Sequence, residues 1–187
     1  MWAITCYYNP QNYRRRYDNY RVFRESLKRQ KVPLITVELI FDCDVKQTDN
    51  DDKKFVLCQN EDAEVLVQLR TDSVMWHKER LLNIALSHVP EECENVCWMD
   101  CDIVFHRDDW CEKTVEKLKV YDVVHPYEFV QYCDGNNKPI KTIKSFFDGN
   151  VKQQARAMWG LCCAIRVERL RQIGGFYEAN IIGGGDN

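Results

Sequence analysis

The sequence predicts an α/β fold: a single domain with a mostly parallel central sheet flanked by helices. Three observations carry this. Apolar runs bounded by polar turns alternate with helical patterns. The chain has 187 residues, 45% of them apolar, enough for one substantial core. Its longest unbroken apolar run, Leu161 to Ile165, is five residues, far short of the about 20 that cross a bilayer.

The elements follow in order. Trp2 to Tyr7 (WAITCY) reads as the first strand. Tyr13, Tyr17, Tyr20, Phe23 and Leu27 then recur at three- and four-residue steps and make an amphipathic helix. Its other face is basic (Arg14, Arg15, Arg16, Arg21, Arg24, Lys28, Arg29), which suits either a solvated face or an anionic partner such as a phosphate-bearing acceptor or membrane surface. Leu34 to Phe41 forms the second strand, and polar Val45 to Asp62 an exposed loop before the third, Glu64 to Leu69. In SVMWHKERLLNIALSHV, Ser73 is the expected N-cap, and Val74, Met75, Leu81, Leu82, Ala85, Leu86 and Val89 share one apolar arc. Asn95 to Met99, Asp122 to Tyr127 and Met158 to Ile165 complete the strands, with a polar connection at Asp134 to Lys144.

Composition excludes several functions. With 26 basic and 29 acidic side chains and a net charge of -3, the chain is no dedicated nucleic-acid binder. Strand-like sequence starts directly after Met1, without a basic segment or long apolar stretch, so no secretory leader and a cytoplasmic location are expected. Ten cysteines in a chain of this size without a leader point to reduced, mostly buried thiols. No CxxC and no HxxxH is present, so no structural zinc is expected. None of the eight glycines precedes Gly135, which rules out a Rossmann GxGxxG after strand one and a P-loop.

VCWMDCDIVF, residues 96 to 105, is the most informative segment: an apolar strand ending in two carboxylates, Asp100 and Asp102. Open α/β sheets bind ligands beyond the carboxyl ends of their strands. Two acids this close repel unless a cation intervenes, and oxygen ligands suit Mg²⁺ or Mn²⁺ carrying a diphosphate. The plain alternative is that they cap a turn or accept backbone amides. Lys78 lies near the middle of the apolar arc, and helical side chains lean toward the helix N-terminus, here the ligand edge. It therefore points toward the aspartates or pairs structurally with Glu38, a lone carboxylate in LITVELIF.

A nucleotide is expected beyond strands one and two, near Tyr7, Tyr8, Asn9 and either Asp42 or Asp44, where side chains can stack on a base and accept its hydrogen bonds. Toward the end of the chain, Gly160 marks close backbone approach and Gly174 and Gly175 a helix C-cap. Gly183 to Gly185 exceed what a turn needs and suit a loop that folds over a ligand and presents Asp186 as a general base. Asp186 alternatively only binds the acceptor.

AITCYYNP, KERLLNIAL, WMDCDIVF, WGLCCAIR and GGFYEANIIGGGDN stand in an order that resembles a DxD-containing, family-2-like nucleotide-sugar glycosyltransferase of the GT-A fold. The resemblance implies a hexosyltransferase in which Asp102 and Asp100 hold Mn²⁺ or Mg²⁺ on the donor diphosphate and Asp100 touches its ribose or sugar. Lys78 would serve the donor, and Trp159, Gly160, Gly184 and Gly185 the sugar or acceptor. The donor would be a UDP- or GDP-sugar, the acceptor a hydroxyl on a glycan, lipid or protein, and the outcome inversion. Residues 1 to about 105 would form the nucleotide part and about 106 to 187 the acceptor part. Two departures stand out: GGGDN replaces the acidic pair many relatives carry, so Asp186 alone transfers, and such domains generally continue further, which implies a C-terminally truncated domain. Two other readings compete. A haloacid-dehalogenase-type phosphatase would use Asp100 as nucleophile and Asp102 as acid or base, though that motif normally lies on the first strand. An inactive nucleotide-sugar-binding module is the other.

Overall fold

The structure, a computed structural model, describes residues 1–42, 54–145 and 160–179. Its elements are β1 (Trp2–Tyr8), α1 (Arg14–Arg29), β2 (Leu34–Phe41), β3 (Val65–Thr71), α2 (Lys78–Ser87) and β4 (Asn95–Met99). They continue with α3 (Trp110–Leu118), β5 (Val123–Val124), β6 (Phe129–Cys133), β7 (Pro139–Lys144), β8 (Cys162–Arg166) and α4 (Val167–Gln172). Six strands form one sheet in the order β3-β2-β1-β4-β8-β5, and β6 and β7 form a separate hairpin. The β3-β2-β1-β4 pairings are parallel, while β8 runs antiparallel to both β4 and β5, so one strand of six is reversed. This is the mostly parallel, helix-flanked α/β sheet that the sequence predicts.

Both faces are covered, which is why the central strands are apolar throughout rather than alternating. The pleat sends Ala3 and Tyr7 to one side, where they pack with Tyr20, Phe23 and Leu27 of α1 and Trp110 and Leu118 of α3. Ile4 and Cys6 go to the other, against Leu81, Leu82 and Ala85 of α2 and Leu170 of α4. Among the described residues no helix is long and apolar enough to cross a membrane. The nine described cysteines are free thiols, with Cys6, Cys97, Cys162 and Cys163 buried and Cys58 and Cys133 exposed.

Five expectations need correction. Helix α2 begins at Lys78, not after Ser73: the Ser73 amide donates to Thr71 Oγ1 and the Ser73 carbonyl bonds His77 Nε2, so residues 73–77 turn across the sheet edge first. Val74 and Met75, 61% and 45% exposed, consequently drop out of the apolar arc. Arg24 does not join the basic outer face. It is buried, donating to both oxygens of Glu64 at 3.0 and 2.7 Å and to the Glu61 carbonyl at 3.3 Å.

Over its described residues, 54 onward, the loop before β3 is not simply exposed. Leu57, Asp62 and Ala63 are buried, and the amides of Val56 and Leu57 donate to Glu38, as does Gln68 Nε2. Finally, the polar connection after Asp134 contains β7. Asp134 Oδ1 accepts the amides of Asn136 and Lys138, and Asn137 adopts φ 60°, closing the hairpin turn. The expected fifth strand also shortens to Val123–Val124.

Two predictions arise here. Burial pushes the Glu38 carboxyl up, and its three hydrogen bonds pull it back. Glu38→Gln turns an acceptor into a donor facing other donors, so urea denaturation should show a loss of about 1–3 kcal/mol. An unchanged midpoint would show that the loop does not depend on this carboxylate.

Glu64 behaves oppositely. Burial raises its carboxyl, but the Arg24 guanidinium and the Leu34 amide outweigh this and hold it below the usual 4.5. A depressed carboxylate stabilises the fold above its unfolded value and loses that contribution as pH falls through its folded one. The stability gap between the native chain and Arg24→Met should therefore shrink as pH is lowered from about 6 to about 3. A gap constant with pH would remove the ion pair from the account.

Candidate active site

The order β3-β2-β1-β4 places a topological switch point between β1 and β4, since the chain moves outward from β1 to β3 and then returns to its other side. The β1–β4 register ends at Ile4 and Trp98, although β1 continues beside β2 as far as Tyr8. Thr5 Oγ1 donates to the Met99 carbonyl at 2.7 Å and fixes the end of β4 where the strands part. Asp100 and Asp102 follow at this edge. Because β8 is reversed, its beginning reaches the same edge, and the Asp100 amide donates to the Leu161 carbonyl, 2.9 Å away and next to Gly160.

Lys78, the first residue of α2, places its ammonium 2.9 Å from Asp100 Oδ1. Its side chain is 12% exposed and that of Asp100 37%. The lysine thus points to the aspartates rather than to Glu38. Asp102 is exposed, with Cys101 tucked behind it, its thiol pushed up by burial. Beneath the pair, burial pushes the Cys6 thiol up to about 12 despite the nearby Lys78 charge, so this cysteine is an inert wall.

The residues expected around the nucleotide divide. Tyr8 lies on the α2 face with its ring 6.2 Å from Phe41 and 6.3 Å from Trp76, both edge-on, and the Arg16 guanidinium 5.5 Å above its centre. Tyr7 goes to the opposite face, buried edge-on against Tyr20 at 5.1 Å, with no open ring surface for a base. Asn9 spends both ends of its amide on the Tyr13 backbone, closing the turn into α1. Asp42 accepts Arg70 at 2.7 Å, and Arg70 in turn lies over Phe55 at 5.1 Å. Asp44, Trp159, Gly184, Gly185 and Asp186 lie outside the described residues.

Sequence reasoning missed Arg16, Trp76 and His77 as neighbours of this edge. His77 stands 6.0 Å from Phe41. The available signal was position: Trp76 and His77 directly precede Lys78, and Arg16 closes a run of three arginines in the first turn of α1, where no acidic residue balances the helix dipole.

Gly174 and Gly175 do cap α4, with φ 86° and 81° and amides donating to the carbonyls of Arg171 and Leu170. A Cβ on Gly175 would stand 2.5 Å from Asn83 Oδ1. That oxygen accepts the Phe176 amide, while Asn83 Nδ2 donates to the Phe176 carbonyl and to Glu178.

Among the described residues no group of three or more His, Cys, Asp or Glu side chains is placed to hold a metal. Two carboxylates one residue apart still suit Mg²⁺ or Mn²⁺, which take one or two protein carboxylates and complete their shell with water and substrate phosphate.

No family model matches the chain, and no curated protein matches it. Among solved structures it is similar to 4-diphosphocytidyl-2C-methyl-D-erythritol synthase from Anaerococcus prevotii, with a TM-score of 0.42 and 10% identity over 95% of this chain and 79% of that one.

Proposed function

We propose that the chain is a metal-dependent glycosyltransferase of the GT-A type, moving a hexosyl group from a nucleotide-diphosphate sugar to a hydroxyl acceptor with inversion. The observation that supports it best is the Lys78–Asp100 ion pair beside Asp102, at the carboxyl end of β4 and next to the switch point. A divalent cation, when bound, supplies positive charge against that developing on the departing diphosphate. In this reading Asp102 is the principal protein ligand and Asp100 supports the shell or the donor's ribose and sugar. Lys78 and Arg16 meet phosphate oxygens, and Tyr8, walled by Phe41 and Trp76, offers the surface for the base. Asp186 takes the proton of the acceptor hydroxyl, with Trp159, Gly160, Gly184 and Gly185 around the sugar. The phosphatase alternative expects its acid pair on the first strand, whereas here it follows the fourth.

The test is thermal-shift screening of UDP-, GDP-, CMP- and dTDP-sugars with and without Mn²⁺. One nucleotide class should raise Tm only with metal, since a ligand at 100 times its Kd adds about 2.7 kcal/mol. No shift with any donor would defeat the reading. Acyl-phosphate formation on Asp100 from a phosphate ester would turn it to the phosphatase.

A further inference from the structure

We propose that Lys78 is a built-in counter-ion that competes with the divalent cation for Asp100, so that cation and donor diphosphate enter this edge cooperatively; the inference rests on the nucleotide-sugar reading above. Both partners are held in place before any ligand arrives. The Asp100 backbone is fixed by the hydrogen bond its N–H donates to the Leu161 carbonyl, and Lys78 begins a helix whose Leu81, Leu82 and Ala85 are locked in the core. The ammonium sits 2.9 Å from Asp100 Oδ1 and is largely buried. A cation arriving alone therefore finds one carboxylate already neutralised. Taking Asp100 from Lys78 breaks a 2.9 Å ion pair to a largely buried ammonium, a cost that an anion arriving at the ammonium offsets.

A diphosphate is such an anion. Its oxygens can receive the Lys78 ammonium, which releases Asp100 to join Asp102 around the cation. Each ligand then favours the other by the same factor, as linkage requires. The role differs from a fixed phosphate ligand, because it predicts opposite effects of one substitution on two ligands.

The experiment titrates Mn²⁺ alone into the full chain, followed by electron paramagnetic resonance, and then UDP in saturating Mn²⁺. In Lys78→Met, Mn²⁺ alone should bind about fivefold or more tighter, and UDP about tenfold or more weaker, within the usual span of coupling between sites. Lys78→Gln, read the same way, serves if the methionine variant does not fold. Unchanged or weaker Mn²⁺ affinity in a folded variant overturns the proposal while native binding of Mn²⁺ and UDP leaves the wider reading standing. Failure of the native chain to bind either ligand removes both. If neither variant folds, Lys78 is a structural cation and the proposal falls.

Discussion

Asp102→Asn is expected to abolish sugar transfer while leaving the fold intact. Asp102 is exposed just beyond β4, so losing its charge should change stability by no more than about 0.5 kcal/mol. On the proposed reading, turnover depends on that charge far more strongly. With Asp100 engaged by Lys78, the proposal makes Asp102 the principal ligand of the cation, and loss of such stabilisation costs several kcal/mol. At 1.36 kcal/mol per tenfold, transfer should fall by about a thousandfold or more. Circular dichroism and urea denaturation would confirm the fold beside the rate. Full activity of the variant in EDTA would refute both the residue's role and the metal requirement.

Asp186→Ala should lower kcat by about a hundredfold or more with donor affinity nearly unchanged. A sugar hydroxyl is a poor nucleophile at neutral pH, and a positioned carboxylate that takes its proton typically contributes about 10²- to 10⁴-fold. Loss of a base acts on the chemical step, so the deficit should appear in kcat and leave Mn²⁺-dependent nucleotide binding untouched. Stereochemistry gives an independent check: direct attack inverts the anomeric centre, and a product retaining the donor's configuration would remove the base role whatever the rate.

Much of the sheet was legible because strands buried on both faces carry unbroken apolar character. LITVELIF gives β2 to the residue and NVCWM gives β4. Asp100 and Asp102 could be placed at the ligand edge because they end such a run. Helix α2 was harder: Ser73 is a good capping residue, but its backbone is taken up by a turn that closes on His77, a tertiary choice no local rule contains. Arg24 looks like its solvated neighbours on α1, and what buries it is Glu64, 40 residues away. The β6–β7 hairpin is exposed along much of both strands and shows no clean alternation, so its one clear signal was the DGNN turn itself. Tyr7 and Tyr8 are adjacent and chemically alike, and the pleat alone decides which faces the aromatic cluster.

Helix α2 acts mechanically as a strut. One end grips Asp100 through Lys78, and partway along it Arg80 reaches Glu178 while Asn83 holds Phe176 at both backbone atoms. Lys78 and Asn83 are separated by about 7.5 Å of helix rise, at 1.5 Å per residue. The segment leading toward the glycine-rich end of the chain is thus registered against the same rigid body that senses the aspartate edge. Any displacement of α2 shifts both fittings together, so the Asp100 edge and the Phe176–Glu178 segment share a common alignment.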